Sequence, residues 1–479
     1  MTQKQVFLKA ITLHEEGKLK DAEYLYRDLL QDDPNNPEVN HNLGVLLYKL
    51  KRFDEAKTFF KITIQYKPDY ITAHFNLGSI WQKLHKLDEA ELSFKKTIEL
   101  KPDYFQAYNN LAAIQIEQGR LDEAHQNLKK TIELNPGFDQ AHNNLGVVLQ
   151  KLGKFDEAEI SYKKALQINP DYADVYNNFG INSLCLKKYD DAIKQYSRAL
   201  ELNPKHFIAK DNIISLLRYF TPSKKSNNSI VIANNNLKKI KNNFTLENGI
   251  KKSDLVNLFK DSNKVIRDNN NELTTMETQV YRKNSIDLNC KRHKEIFNTY
   301  NIIPKFCFGC FKIQIEPKNV LELFELFFVF DKLELPKNNI RKCSIEVRPK
   351  VLGTYKGLIY CSSIDEANKI LKVITPILDK FITGDVKIKR GCTEYSDAFP
   401  NYKVVNKNEV NFMEYKDIWM KKETLFDENK TLIKEITAPS CSGLSISDIL
   451  IMNNWLNYAK KINDLTYMDI SEEMFHSDY

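Results

Sequence analysis

Residues 142–158 read HNNLGVVLQKLGKFDEA, and the phrase returns with small changes every 34 residues. Pro34, Pro68, Pro102, Pro136, Pro170 and Pro204 keep the period. Twelve residues before each proline stands an alanine: Ala22, Ala56, Ala90, Ala124, Ala158 and Ala192. Twelve further upstream is a small residue: Ala10, Gly44, Gly78, Ala112, Gly146 and Gly180. An aromatic follows the alanine by four in Tyr26, Phe60, Phe94, Tyr162 and Tyr196, and Leu128 takes the place once. Small residues on two successive helices let their backbones approach. An aromatic one turn after the alanine shares its helix face, and the spacing predicts that it fills the space between neighbouring hairpins. Proline cannot continue a helix, so it marks the end of each second helix.

This set resembles the tetratricopeptide repeat family, in six copies over roughly residues 3–206. KHFIAKDNIISLLRYF, residues 205–220, is similar to the helix that caps such arrays. The resemblance implies a right-handed superhelix of helix pairs. First helices line a concave groove and second helices face outward, as in a binding scaffold.

Asn42, Asn76, Asn110, Asn144 and Asn178 share the period, each two residues before the small residue on a first helix. A carboxamide donates and accepts together, which suits it to an extended peptide backbone. The segment resembles the superhelix of the O-linked N-acetylglucosamine transferases, where such a ladder occurs. Leu8 holds the matching place in the first repeat, so the ladder has five rungs here. Asparagines capping or bonding within their own hairpins are the plainer alternative. A protein or extended peptide in the groove is the expected partner.

The rest of the chain reads differently. Residues 1–220 carry no net charge, residues 221–400 carry +11 and residues 401–479 carry −4. A basic middle favours an acidic partner or a well-solvated surface. The start, MTQKQVFLKAITLHEEG, has no basic-then-apolar leader pattern, so a cytoplasmic protein is expected. Val320 to Phe330 is the most apolar run, but Glu322 and Glu325 interrupt it, and no membrane span is expected.

Residues 221–285 are rich in Lys and Asn and read as a flexible linker, with one amphipathic helix over 253–266. Within residues 286–310, Cys290-x2-His293 and Cys307-x2-Cys310 have the spacing of a closed Cys3His site for structural zinc. Unrelated buried thiols are the alternative.

From 311 to 400 the patterns run strand, helix, strand, strand, helix, strand, which predicts a ferredoxin-like α+β sandwich. Ile313, Ile315, Ile345, Val347, Ile359 and Ile388 are expected to face the helices. Lys312, Gln314, Glu316, Glu346, Arg348, Lys356, Tyr360, Lys387 and Lys389 would face away, a surface that could meet an anionic ligand or RNA. Residues 401–479 read as mostly helical, anchored by Trp419 and Trp455.

The fold class is therefore multi-domain, an all-α repeat array over 1–220 followed by an α+β region. No catalytic constellation is identified. Cys392, beside Lys389 and Arg390 in KRGCTEY, is a thiol whose pKa those cations would lower. Cys343 and Cys361 are the other thiols from which an enzyme recruiting its substrate through the groove could draw a nucleophile. The leading reading is an interaction scaffold.

Overall fold

A computed structural model describes residues 2–223, 226–241, 243–269, 273–282, 290–337, 339–347, 353–406, 408–429 and 443–471. The chain divides into two compact units, Met1–Leu186 and Lys187–Tyr479.

The first unit is helical throughout. Its first helices are α1 (Gln3–Glu15), α3 (Pro37–Lys49), α5 (Ile71–Lys83), α7 (Phe105–Glu117), α9 (Asp139–Lys151) and α11 (Ala173–Cys185). Its second helices are α2 (Leu19–Asp32), α4 (Phe53–Tyr66), α6 (Leu87–Leu100), α8 (Leu121–Leu134) and α10 (Phe155–Ile168). The helices of a hairpin pack antiparallel across a short turn. That turn passes through the left-handed region at Gly17, Lys51, His85, Gly119 and Gly153. Glycine suits the position because it has no Cβ to clash there.

The repeated alanines Ala22, Ala56, Ala90, Ala124 and Ala158 are wholly buried, as are the aromatics Tyr26, Phe60, Phe94 and Tyr162. The aromatic reaches the next hairpin, as Tyr162 does in stacking on Phe179 at 6.1 Å, and it also covers a place the sequence did not indicate. Its ring lies flat on the small residue of its own hairpin. A Cβ on Gly44 would meet Phe60 Cε1 at 2.8 Å, one on Gly78 would meet Phe94 at 2.8 Å, and one on Gly146 would meet Tyr162 at 2.5 Å. The small residue is thus a seat for the ring.

The second unit begins with α12 (Tyr189–Leu202) and α13 (Phe207–Leu217), then α14 (Ser229–Leu237) and α15 (Lys252–Asn269). The Lys/Asn-rich stretch read as a flexible linker is built into this unit. Ile230, Val231, Leu237, Phe244, Leu255 and Phe259 are buried. Its asparagines make specific bonds. Asn228 caps α14, and Asn234 Oδ1 accepts from the Ile446 N–H at 3.1 Å.

A five-stranded antiparallel sheet follows, from β1 (Gln279–Arg282), β2 (Phe311–Ile315), β3 (Arg341–Ile345), β4 (Tyr355–Cys361) and β5 (Val386–Arg390), in the order β1-β3-β4-β2-β5. The helices α16 (Cys290–Tyr300) and α17 (Lys305–Gly309) precede β2. The helix α18 (Val320–Lys332) joins β2 to β3, and α19 (Ile364–Leu378) joins β4 to β5. The remaining helices include α20 (Asp417–Asn429) and α21 (Ile446–Lys461).

Ile313, Ile315, Ile345 and Ile359 are buried, and α18 is buried along almost its whole circumference. Gly357 is the seat of Leu326, whose Cδ2 a Cβ there would meet at 2.3 Å. Val347 is 56% exposed because β3 ends two residues earlier, so it does not join the inner face as expected. Arg348 lies outside the described residues.

An ion pair lies deep beside this core. The Arg282 guanidinium donates to both carboxylate oxygens of Asp448, at 3.2 and 2.9 Å, and lies 4.2 Å over the Phe327 ring. No helix among the described residues is long and apolar enough to cross a membrane.

Candidate functional site

Two groups of polar side chains gather in the fold, one in each unit.

In the first unit, neighbouring first helices lean on one another: α1 on α3, α3 on α5, α5 on α7, α7 on α9 and α9 on α11. The first helices thus form one continuous row along the stack. Asn42, Asn76, Asn110, Asn144 and Asn178 lie on that row of helices, and all five are half-buried.

Each is joined to a second asparagine or its equivalent, one residue earlier in the repeat. Asn178 Nδ2 donates to Asn143 Oδ1 at 3.0 Å, and Asn144 Nδ2 donates to Asn109 Oδ1 at 3.0 Å. Asn143 in turn donates to Asn144 at 3.4 Å, Asn109 to Asn110 at 3.3 Å, and Asn177 to Asn178 at 3.5 Å. The bonds form one continuous chain, Asn177 to Asn178 to Asn143 to Asn144 to Asn109 to Asn110, in which the two steps between repeats donate toward the amino-terminal side. The long steps cross from one hairpin to the next.

Sequence reading found one asparagine per repeat and missed its partner. The visible signal was the doubled Asn-Asn in NNLA, NNLG and NNFG.

Nearer the start, the place of the partner is held by His41. Its Nε2 lies 3.3 Å from Asn76 Nδ2 and 3.1 Å from Thr72 Oγ1, within hydrogen-bond reach of both. Burial pushes this imidazole down to about 4 from an ordinary 6.5, against a small opposing bond to Asn42.

In the second unit the described cysteines are free thiols, and Cys307, Cys310 and Cys392 gather where α17 and β5 meet. Cys307 is buried, with its Sγ 3.6 Å from the Tyr395 hydroxyl and its carbonyl accepting from the Tyr402 hydroxyl at 2.8 Å. Cys310 is buried against Gly391, where a Cβ would stand 2.4 Å from its Sγ, and the Gly391 N–H donates to the Cys310 carbonyl at 2.9 Å. Cys392, the next residue, packs into the same cluster as Cys307, Tyr395 and Tyr402. Cys290, which is exposed, and Cys307 both act on the Cys392 thiol, and His293 acts on Cys290. His293 itself is buried and stacks on Phe306 at 5.1 Å.

The bond to Cys392 raises the Cys290 thiol, the bond to His293 opposes it, and burial adds to the rise. Burial pushes Cys310 up to about 11. At Cys392 the bond from Cys290 lowers the pKa, but the bond to Cys307 and burial outweigh it, and the thiol ends well above its ordinary range. The expectation that neighbouring cations would lower it fails because Arg390 is turned away. Its guanidinium donates to the Phe308 carbonyl and lies 4.8 Å over the Phe311 ring.

The Cys3His reading is not met as the sequence spelled it. As the side chains lie, no three His, Cys, Asp or Glu groups among the described residues surround one point closely enough to hold an ion. Cys392 joins this group, 82 residues after Cys310, and no spacing pattern pointed to it. Antiparallel pairing of β2 with β5 brings the two together.

Cys343 and Cys361 are sealed in the sheet, and burial raises both thiols. Neither has the lowered pKa of an activated nucleophile.

The basic sheet face is not an open surface. Lys312 is buried and donates to the Gly391 carbonyl at 2.7 Å. Lys356 is buried against Glu346 at 3.0 Å, and Lys387 pairs with Glu316 at 2.7 Å. Cations already paired or buried are not available to phosphates, so the anionic-ligand and RNA reading finds no support here.

Comparison with known proteins bears on the first group. Models of the tetratricopeptide repeat match residues 13–77, 71–104, 93–126, 140–172 and 173–206, and a TPR repeat model matches residues 114–153. One similar solved structure is YrrB, a TPR protein with an unusual peptide-binding site. It is 19% identical over 39% of this chain and 97% of its own, with a TM-score of 0.34. A thermophilic TPR protein of Thermus thermophilus is 28% identical over 38% of this chain and 98% of its own, at a TM-score of 0.33. The type IV pilus biogenesis factor PilW is 20% identical over 44% and 99%, at a TM-score of 0.41. No curated protein matches the chain.

Proposed function

Residues 13–206 are tetratricopeptide repeats, and from that premise we propose that this protein is an interaction scaffold holding an extended polypeptide against its row of asparagines. The observation that carries the proposal is the continuous carboxamide chain from Asn177 to Asn110.

A carboxamide has two N–H donors and two acceptor lone pairs. Asn144 spends one donor on Asn109 and one lone pair on Asn143, which leaves one of each for a guest. A guest backbone offers the matching pair at each residue. Bonds between neighbouring repeats hold each amide in one orientation, so little side-chain entropy is lost when a guest binds. Because the bonds between repeats all donate in one sense, the row distinguishes the two directions in which a chain can lie. It reads backbone, not side chains, so it suits a partner recognised by extension. The second unit, read as a ferredoxin-like sandwich extended by β1, is then an effector or second binding module in the same cytoplasmic protein.

The test replaces Asn110, Asn144 and Asn178 together by Ala and compares the proteins recovered by the full-length chain. Recovery should fall about tenfold or more, as expected for losing several net bonds of about 0.5–1.5 kcal/mol each, while far-ultraviolet circular dichroism stays unchanged. Undiminished recovery of the same partners refutes the reading.

A further inference from the structure

The second helices carry a pattern with twice the repeat period. Ala22-Glu23-Tyr24, Ala90-Glu91-Leu92 and Ala158-Glu159-Ile160 stand 68 residues apart. Each is followed, one turn after the glutamate, by a cation: Arg27, Lys95 and Lys163. Tyr24 on α2, Leu92 on α6 and Ile160 on α10 are 70%, 69% and 69% exposed. In the two repeats between them the same exposed place is polar, Thr58 and Gln126. A lone exposed apolar side chain is ordinary on a protein surface. Three at one repeat position, on helices other than those that carry the asparagines, form a surface. We propose that a second copy of this chain docks on it, antiparallel and helix on like helix, about a two-fold axis that runs along Tyr24, Leu92 and Ile160.

What singles out a second copy is the charge around each apolar residue. On a helix, the residues three and four places to either side of a given one share its face. An antiparallel copy sets the place four before opposite the place four after, and three before opposite three after. Around Leu92 those places hold Asp88 and Glu89, then Lys95 and Lys96, so the contact sets Asp88 against Lys96 and Glu89 against Lys95. Around Ile160 they hold Asp156 and Glu157, then Lys163 and Lys164, with the same result. Around Tyr24 the order of signs differs but the match holds: Lys20 meets Asp28 and Asp21 meets Arg27. Arg27 and Lys96 are half-buried and the others are exposed. Every opposed pair is of opposite sign on all three helices. A strongly acidic or basic partner finds no such match, because each face carries as much of one charge as of the other.

Lys95 and Lys163 already bond to Glu91 and Glu159 on their own helices, at 2.7 and 2.6 Å. An ammonium has three N–H donors, so it can keep that bond and take a second carboxylate across the contact. The three apolar side chains, covered by their own counterparts, supply affinity, and the charges fix the antiparallel register. The contact uses second helices only and leaves the asparagines of the first helices to a guest.

Sedimentation velocity on the full-length chain should show a species of twice the chain mass that dissociates on dilution. Tyr24→Ser, Leu92→Ser and Ile160→Ser together should convert it to monomer at the same concentration, with far-ultraviolet circular dichroism unchanged. Charge exchange on α6 tests the register. Lys95→Glu with Lys96→Glu makes this face wholly acidic, and Asp88→Lys with Glu89→Lys makes it wholly basic. Each pair should weaken self-association about tenfold or more, and an equimolar mixture of the two variants should restore it as a mixed dimer. Should the serine variant fail to fold, the mixture alone decides. The proposal is overturned by an unaltered chain that stays monomeric at every concentration, by a dimer that survives the three serines, or by a mixture that associates no better than its parts.

Discussion

Gly146 and Tyr162 offer a quantitative test of how the repeats hold together. A Cβ at residue 146 would meet three atoms of the Tyr162 ring at 2.5, 2.7 and 2.8 Å. The ring cannot simply swing aside. It is wholly buried, and its hydroxyl bonds to Gln150 Oε1 at 2.9 Å on the same first helix. Gly146→Ala therefore gains about 1 kcal/mol of helix propensity and pays an overpacking cost of about 1–3 kcal/mol. The clash is tighter here than at Gly44 or Gly78, which places Gly146 toward the upper end. The expected net loss is about 1–2 kcal/mol.

Tyr162→Leu alone opens space and strands Gln150, at a cost of about 2–3 kcal/mol. The two changes together rebuild a pair that the chain already uses, since the fourth repeat has Ala112 facing Leu128, both wholly buried. The double variant should cost less than the sum of the singles by about 1–2 kcal/mol. Urea titration followed by circular dichroism at the helical band measures all three variants. Additivity within about 0.5 kcal/mol would show that ring and glycine are not in competition for the same space, and the account of the small residue as a seat would be wrong.

Two further outcomes follow from buried charge. His41 takes up a proton only near pH 4 when folded but near 6.5 when unfolded, so between those values the unfolded chain binds more protons and stability falls as the pH drops. Between pH 7 and pH 5 the loss is about 2 kcal/mol from this residue alone. Asparagine, the residue that Asn109, Asn143 and Asn177 supply at this repeat position, should make the first hairpins correspondingly less acid-sensitive. Denaturation of His41→Asn and the unaltered chain at both pH values checks this, and equal slopes contradict it. In the second unit, Asp448→Ala leaves the Arg282 guanidinium buried, with Asp331 at 3.1 Å as its remaining carboxylate. A loss of about 3–5 kcal/mol is expected, read as a lower thermal midpoint. A loss under about 1 kcal/mol would mean that the pair is solvated.

The repeats were legible because their determinants are close in sequence. Gly44 meets Phe60 sixteen residues on, and the same pair of types recurs at the same offset in Gly78 and Phe94. Periodicity revealed the positions but not the direction of the ring, because both neighbours of an aromatic are apolar and the spacing is the same for either. The Lys/Asn-rich stretch was misread for a different reason. Composition treats asparagine as a solvent-facing residue, whereas here Asn234 is wholly buried and holds the first N–H of α21, and Asn263 accepts from Asn453 at 2.8 Å. Those partners lie 212 and 190 residues away.

That distance is also why the fourth thiol escaped notice. A metal knuckle is recognised from sequence when its ligands come in close pairs, because a short loop fixes their geometry by itself. Cys392 has no such companion, and its place is set by the pairing of Phe311 with Arg390 at the end of two strands. Register therefore does for Cys310 and Cys392 what the Phe-Gly spacer does for Cys307 and Cys310. A slip of one residue between β2 and β5 would turn Cys392 to the opposite face of the sheet. Gly391 bears on the register as well, since any side chain there would displace the Cys310 sulfur. Closing an 82-residue loop costs chain entropy that the half-buried β5 repays poorly by apolar contact alone.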